Sequence, residues 1–373
     1  MIVVEVIFWL ALALIVYTHV GYPMLLRALV ALRASRPARA AGDEPSVSLI
    51  VAAHDEGDVI EEKVRNMLAL DYAADRLELI VASDGSQDRT VEAGRQVKVL
   101  DLPRRGKVLT QDAAVDAAAG EVLAFSDANA FWDADALREL VRPFADPDVG
   151  YVCGQLAYLA PDGSNQEGVY WRYENWVRGL ESRIGSVTAG NGAIYAVRRE
   201  AYMRLDPRTS HDLSFPFNMV KKGWRAVYEP AARAVERPVP SIEGEFRRKR
   251  RMMSHAWPAV LGGGLLNPRG YGLTYGLEIF SHRALRYATP FLHVVALAAN
   301  VALLGNGWVY SATLAAQAAL LAAAALAPLN RRSRILALCR YYVLMTASLG
   351  AGLWDALRHG VPATWEREPD RPS

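Results

Sequence analysis

The chain has 373 residues, 52% of them apolar, with 42 basic and 40 acidic side chains and two cysteines. That length is more than one average domain and less than three, and the near-balanced charge gives no case for a nucleic-acid partner. Cys153 and Cys339 stand far apart and read as small buried hydrophobes, which excludes a disulfide framework and a cysteine metal cluster.

Residues 2 to 26, "IVVEVIFWLALALIVYTHVGYPMLL", carry one acid and no base before Arg27, close to the roughly 20 apolar residues that cross a bilayer. The stretch lacks the basic leading region of a signal peptide, so it is expected to be an uncleaved anchor. Three more apolar runs follow near the C-terminus, at about 286–305, 308–328 and 335–356. Four spans are expected, with three as the alternative. Arg33, Arg36 and Arg39, the run 247–251, Arg283 with Arg286, and 331–334 all fall on one side if four spans alternate. By the positive-inside rule the central region is then cytoplasmic and both termini are outside.

From residue 46 the pattern changes to short apolar strands alternating with helical stretches. Strands are predicted at 46–53, 77–83, 97–102 and 121–127, and helices at 56–70 and 107–120, the second closing on Gly120. Such a βαβ succession makes a mainly parallel sheet in an α/β core, whose ligands sit beyond the carboxyl ends of the strands. Those ends are polar: His54, Asp55 and Glu56 follow the first strand, "SDGSQD" (83–88) the second, "PRRGK" (103–107) the third and "SDAN" (126–129) the fourth. Any one of them reads as a solvated turn or a helix cap. Four in succession converge on one crevice. No G-x-G-x-x-G follows the first strand and no P-loop motif occurs, which excludes the common dinucleotide and NTPase sites.

In order and spacing, "IVAAHDEGDVI" (50–60), "IVASDGSQDRT" (80–90), "LPRRGKVLTQDAAVDAAAGEVLAFSDAN" (102–129) and "GNGAIYAVRRE" (190–200) resemble glycosyltransferase family 2 on a GT-A fold. The resemblance runs from about 46 to 255. The flanking spans are similar to the membrane-bound branch that includes cellulose, hyaluronan and poly-N-acetylglucosamine synthases. With the spans read above it gives an anchor over 1–32, a GT-A domain over 45–255, an amphipathic, interfacial linker over 256–285, membrane helices over 286–357 and a tail over 358–373, whose end "WEREPDRPS" (365–373) is expected from its composition to be disordered.

The resemblance also implies that Ala53, Asp55 and Glu56 border a nucleotide, that Asp84 contacts its base, and that the turn from Arg105 to Lys107 lies near the diphosphate. The residue types suit those roles, since carboxylates accept from uracil N–H or ribose hydroxyls and a lysine offers a point charge to phosphate. A UDP-sugar is the expected donor. In the family the fourth strand ends in D-x-D, whose acids hold a divalent cation on the diphosphate; here the positions are Asp127, Ala128 and Asn129. On an extended chain Asp127 and Asn129 face the same side, where a carboxylate and an amide oxygen meet one Mg²⁺ or Mn²⁺ ion with less charge than two acids supply.

Inverting transfer needs a base for the acceptor hydroxyl. The family's counterpart precedes G-x-x-x-x-Y-x-P, here Gly223 to Pro230, and implies Asp212, with His211 in place of the usual acid before it. Asn191 and Gly192 are expected on the acceptor side. Where processive synthases carry Q-x-x-R-W this chain has Arg248, Arg251 and Met252: Arg251 can hold the diphosphate, but the aromatic platform is missing. The expectation is therefore a plasma-membrane (inner-membrane) enzyme with a cytoplasmic catalytic domain. It transfers one sugar from a nucleotide-diphosphate donor to a membrane-associated, lipid-linked acceptor in cell-surface polysaccharide synthesis. A processive synthase subunit and a non-catalytic nucleotide-sugar sensor or scaffold are the alternatives.

Overall fold

A computed structural model of the chain describes residues 1–32, 44–158, 169–236, 242–330 and 333–364. Arg33, Arg36, Arg39, Arg331, Arg332 and most of the expected tail, 365–373, lie outside the described residues. The chain forms two compact units, one of 1–25, 240–260 and 277–361, the other of 26–239, 261–276 and 362–373.

The larger unit is built on an eight-stranded sheet. Its strands are β1 (Val47–Ala53), β2 (Leu77–Asp84), β3 (Lys98–Leu102), β4 (Val122–Asp127), β5 (Phe131–Trp132), β6 (Val149–Tyr158), β7 (Ile194–Arg198) and β8 (Arg225–Glu236). Their order is β3-β2-β1-β4-β7-β6-β8-β5. The first four are parallel, as expected, and β7 runs antiparallel to both β4 and β6.

All seven residues of β1 are buried, which is why it reads as an unbroken apolar run: a central parallel strand is covered on both faces. Period two divides those faces. Leu49 and Val51 join Ile60, Val64 and Met67 of the helix Ile60–Leu68, while Ile50 joins Ala114 and Val115 of the helix Lys107–Ala117.

One local expectation needs correction. The helix expected to close on Gly120 ends at Ala117, with Ala118 already extended. Gly120 serves a different purpose: a Cβ there would collide with the Val47 and Ser48 backbone, and its N–H donates to Ser48 Oγ at 2.8 Å. The helix after β5 begins at Ala136 with Asp135 at its N-cap.

The domain boundaries also shift. The basic helix Ile242–Leu261 falls almost wholly in the smaller unit, where Arg250 pairs with Asp355 at 2.6 Å and Trp257 donates to the Leu349 carbonyl at 2.9 Å. Residues 261–276 belong with the larger unit. Tyr275 donates to Val187 O at 3.0 Å there, and Lys221 to Gly264 O at 2.5 Å.

Among the described residues three helices are long and apolar enough to cross a membrane: Ile2–Leu32, Trp308–Leu329 and Arg334–His359. The run expected at 286–305 is the helix Leu285–Ala302, which carries Arg286, His293 and Asn300 and is not one of the three. Its polar side chains turn to neighbouring helices. Asn300 accepts from Thr313 Oγ1 at 3.0 Å and Gln317 Nε2 at 2.7 Å, and His293 meets Tyr342 Oη at 2.7 Å. Such pairing lets a helix this polar sit inside a bundle.

Candidate active site

The parallel strands β1, β2 and β4 deliver their polar ends to one place, and β7 adds a glycine loop from the antiparallel side. Asp55, directly after β1, has φ +51°, a left-handed conformation that aspartate tolerates better than most residues. Its N–H donates to Ser86 Oγ at 3.1 Å and its Oδ1 accepts from Gln87 N at 2.8 Å, so the first two loops are laced together. Glu56 and Ala53 are buried beside them.

Asp84 corrects an expectation. Its side chain has no exposed surface, and its carboxylate accepts from the N–H of Arg105 (2.6 Å), the N–H of Gly106 (3.0 Å) and the hydroxyl of Thr110 (2.9 Å). It shapes the 103–107 turn and, so placed, does not reach out to a base. Gly106 has φ +96°, and a Cβ on it would collide with the carbonyl of Ala363, which lies against this turn. Arg105 is exposed on the turn's outer side.

Lys107 starts the next helix and forms an ion pair with Asp127 at the end of β4, both side chains about a quarter exposed, at 27% and 25%. Gly192 comes in from the opposite side. A Cβ on it would stand 3.7 Å from Lys107 Nζ and 3.8 Å from Asp127 Oδ2. Asn191 does not face the cleft: its Oδ1 accepts from Ile194 N at 2.9 Å and its Nδ2 donates to Gly154 O at 2.5 Å, so the side chain is spent on holding the loop.

Asn129 also departs from expectation. β4 stops at Asp127, and residues 128–129 form a turn closed by Ala130 N to Asp127 O at 3.2 Å. The two side chains therefore do not share an extended edge. Asn129 Nδ2 donates to Glu236, while its Oδ1 is buried with no hydrogen-bond partner among the described residues. Among the described residues no group of three or more His, Cys, Asp or Glu is placed to hold a metal ion. A cation beside Asp127 would meet one carboxylate, a donor set that fits an ion carried on phosphate oxygens and not one caged by protein.

Asp212 lies in the first turn of the helix His211–Lys221, whose N-cap is Ser210. Its backbone carbonyl accepts from Gly190 N at 2.8 Å, which ties it to the Gly190–Gly192 loop beside Asp127. Among the described residues its half-buried carboxylate makes no hydrogen bond or ion pair. Burial foremost, then Tyr202 and Tyr151, then the carboxylates of Asp127 and Asp212, push the Tyr195 phenol well above its usual range, so both carboxylates act on the same buried hydroxyl.

Tyr195 was not singled out in the sequence. Gln111 Nε2 donates to its hydroxyl at 3.3 Å, and the hydroxyl lies 2.8 Å from His211 Nδ1. With the hydroxyl donating to Nδ1, neutral His211 carries its proton on Nε2, which is buried without a partner among the described residues. Burial, and then the charge of Lys107, push His211 from 6.5 down to about 3. The unfolded chain therefore takes up a proton that the native state refuses. Stability is fully present above pH 6.5 and is lost as pH falls toward 3, by up to about 1.4 kcal/mol per pH unit. Unfolding midpoints at pH 7, 5 and 4 are expected to fall less steeply for His211→Gln than for the native sequence. Equal slopes would contradict this account.

Arg178, buried in the helix Val169–Ile184, also went unremarked; it donates to the carbonyls of Ala189 and Gly190, each at 3.2 Å, and so holds the glycine loop. Arg251 is exposed on the helix Ile242–Leu261, in the smaller unit.

A half-parallel sheet whose strand ends gather acids, a lysine and a glycine loop defines a GT-A fold, the nucleotide-sugar class of α/β domain. Residues 48–228 match Glycosyl transferase family 2, and this part of the chain is a domain of that family. Over 202 residues it is 26% identical to a poly-beta-1,6-N-acetyl-D-glucosamine synthase of Staphylococcus aureus (strain MSSA476), covering 50% of this chain and 48% of that one. It is 25% identical over 235 residues to an N-acetylglucosaminyltransferase of Rhizobium sp. (strain N33), covering 55% and 51%. The chain thus spans about half the length of these relatives. Among solved structures, a mannosyltransferase of Pyrobaculum calidifontis in complex with GDP-Man and Mn²⁺ superposes with a TM-score of 0.71 at 26% identity, over 95% of this chain and 99% of that one.

Proposed function

We propose that the chain is a membrane-anchored inverting glycosyltransferase, moving a single sugar from a nucleotide-diphosphate sugar to a membrane-associated, lipid-linked acceptor in cell-surface polysaccharide synthesis. The observation that carries this reading is the Asp212 carboxylate, unpartnered among the described residues, on a residue whose backbone is tied to the Gly190–Gly192 loop beside the Lys107–Asp127 pair. In this reading the Asp212 base serves the acceptor across the Gly190–Gly192 loop from the Lys107–Asp127 pair.

In this reading Lys107 leaves Asp127 for the diphosphate and, with Arg105, offsets its charge. Asp127 and the amide oxygen of Asn129 would hold Mn²⁺ or Mg²⁺, which would supply Lewis-acid stabilisation of the departing nucleotide. Asp212 accepts the proton of the acceptor hydroxyl as that oxygen attacks the anomeric carbon from the face opposite the leaving group. Neutral His211 adds no positive charge that would weaken the base.

Single addition is favoured over polymer extension by Met252 in place of an aromatic platform, and by the near full-length overlap with a mannosyltransferase against half-length overlap with the synthases. That overlap brings GDP-sugars beside UDP-sugars as donors. Counting the helix Leu285–Ala302 as a fourth span keeps the basic clusters on one side, and with it the GT-A domain on the cytoplasmic face of the plasma membrane.

The test is donor consumption by the purified full-length protein, with GDP-mannose, UDP-glucose and UDP-N-acetylglucosamine as probes, each with Mn²⁺ and with EDTA. One donor is expected to be consumed, only when the cation is present, and to yield a single-sugar product. Long product would favour a processive synthase; nucleotide binding with no turnover of any donor would favour a sensor.

A further inference from the structure

The helix Ile60–Leu68 places Ile60, Val64 and Met67 on the core, and Lys63 lies on that same face with no exposed surface. A lysine buried so completely is expensive unless its ammonium is used, and an apolar side chain would fill the space at less cost. Its use is visible. Lys63 Nζ donates to the carbonyl of Ala130 at 2.5 Å and stands 5.4 Å from the ring centroid of Trp132.

One turn further along, Asn66 grips Trp132 on both sides of its backbone, donating to its carbonyl at 2.8 Å and accepting from its N–H at 2.9 Å. Trp132 Nε1 in turn donates to Ala193 O at 3.1 Å, next to Gly192. Residues 127–132 are thus clamped from below by one helix and tied across to the glycine loop.

We propose that Lys63 is a positioning residue of the donor site: its buried ammonium holds the Ala130 carbonyl and thereby fixes the turn that presents Asp127 to a cation-bound diphosphate. The inference rests on the donor-site reading given above. Asp127 then has two amines near it with different duties. Lys107, partly exposed, is able to move to phosphate; Lys63, enclosed, stays.

Burial lowers the Lys63 ammonium to about 7, and the charge of Asp127 opposes that shift. The native state therefore bears a cost for keeping this side chain, which a packing role alone does not explain. Because the folded value lies below the unfolded one, stability rises with pH through the window from 7 to 10.5. At neutral pH an apolar replacement is relieved of that cost.

The experiment follows Mn²⁺ by the electron paramagnetic resonance of the free ion, titrated into full-length protein in detergent with GDP or UDP, alongside thermal unfolding. Lys63→Met is expected to unfold at an equal or higher temperature while its Mn²⁺–nucleotide affinity falls at least ten-fold. The donor KM should rise with it and the acceptor KM stay unchanged. In Lys63→Ala, added ethylammonium should restore at least a third of the lost affinity, and ethanol none. Unchanged affinity in Lys63→Met overturns the proposal, as does an affinity loss that tracks unfolding with no amine rescue. If the native protein binds neither Mn²⁺–GDP nor Mn²⁺–UDP, the donor-site reading itself fails and the inference goes with it.

Discussion

Asp212→Asn is expected to lower the rate of sugar transfer by about 10² to 10⁴-fold, the usual contribution of a positioned general base, with nucleotide affinity within a factor of about three of the native value. The substitution keeps size and most hydrogen-bonding capacity and removes only basicity. Because the carboxylate has no partner among the described residues, nothing is left unpaired by the change and the fold should be unaffected. Single-turnover transfer and calorimetric nucleotide binding on the same preparation give both readings. A variant retaining more than a tenth of the native rate would show that the proton leaves by another route, and a collapse of nucleotide binding would place Asp212 on the donor side.

Asp127→Ala carries a prediction whose sign differs with and without metal. The carboxylate is the one acid at the expected cation position, so cation-dependent nucleotide binding should weaken by at least about ten-fold, roughly 1.4 kcal/mol. The same change removes the ion pair between Lys107 and Asp127, and an ammonium relieved of a neighbouring carboxylate attracts phosphate more strongly. In EDTA the variant should therefore bind nucleotide as well as the native protein or better. Transfer by the variant with Mn²⁺ should match transfer by the native protein in EDTA. Equal Mn²⁺ dependence in the two proteins would remove Asp127 from the cation site.

Much of the sheet was readable because a central parallel strand must be apolar throughout. The boundaries of β1, β2, β3 and β4 fall within a residue of those read from the sequence, and their polar ends drew attention to Asp55, Lys107 and Asp127. Orientation was harder to read. Asp84 and Asn191 stood in motifs at the right place, yet in the fold both side chains turn inward to satisfy backbone N–H or carbonyl groups. A buried polar backbone group must be paired, and which side chain pairs it depends on the path of a loop distant in sequence. Lys63 was missed because its charge suggested solvent, although its spacing from Ile60, Val64 and Met67 is that of the buried stripe.

By itself the sequence determined which stretches are apolar enough for strands or membrane helices and which acids and amines stand at strand ends, since those follow from local pattern and composition. Only the tertiary structure decided which of these groups face the cleft. It turned Asn129 onto Glu236, enclosed His211 and Lys63, brought Gly192 up to the Lys107–Asp127 pair, and left the Asp212 carboxylate without a partner among the described residues. The reason is physical: exposure, charge state and pairing depend on neighbours supplied by other strands and helices, and the order in which those elements pack is not written in any one of them.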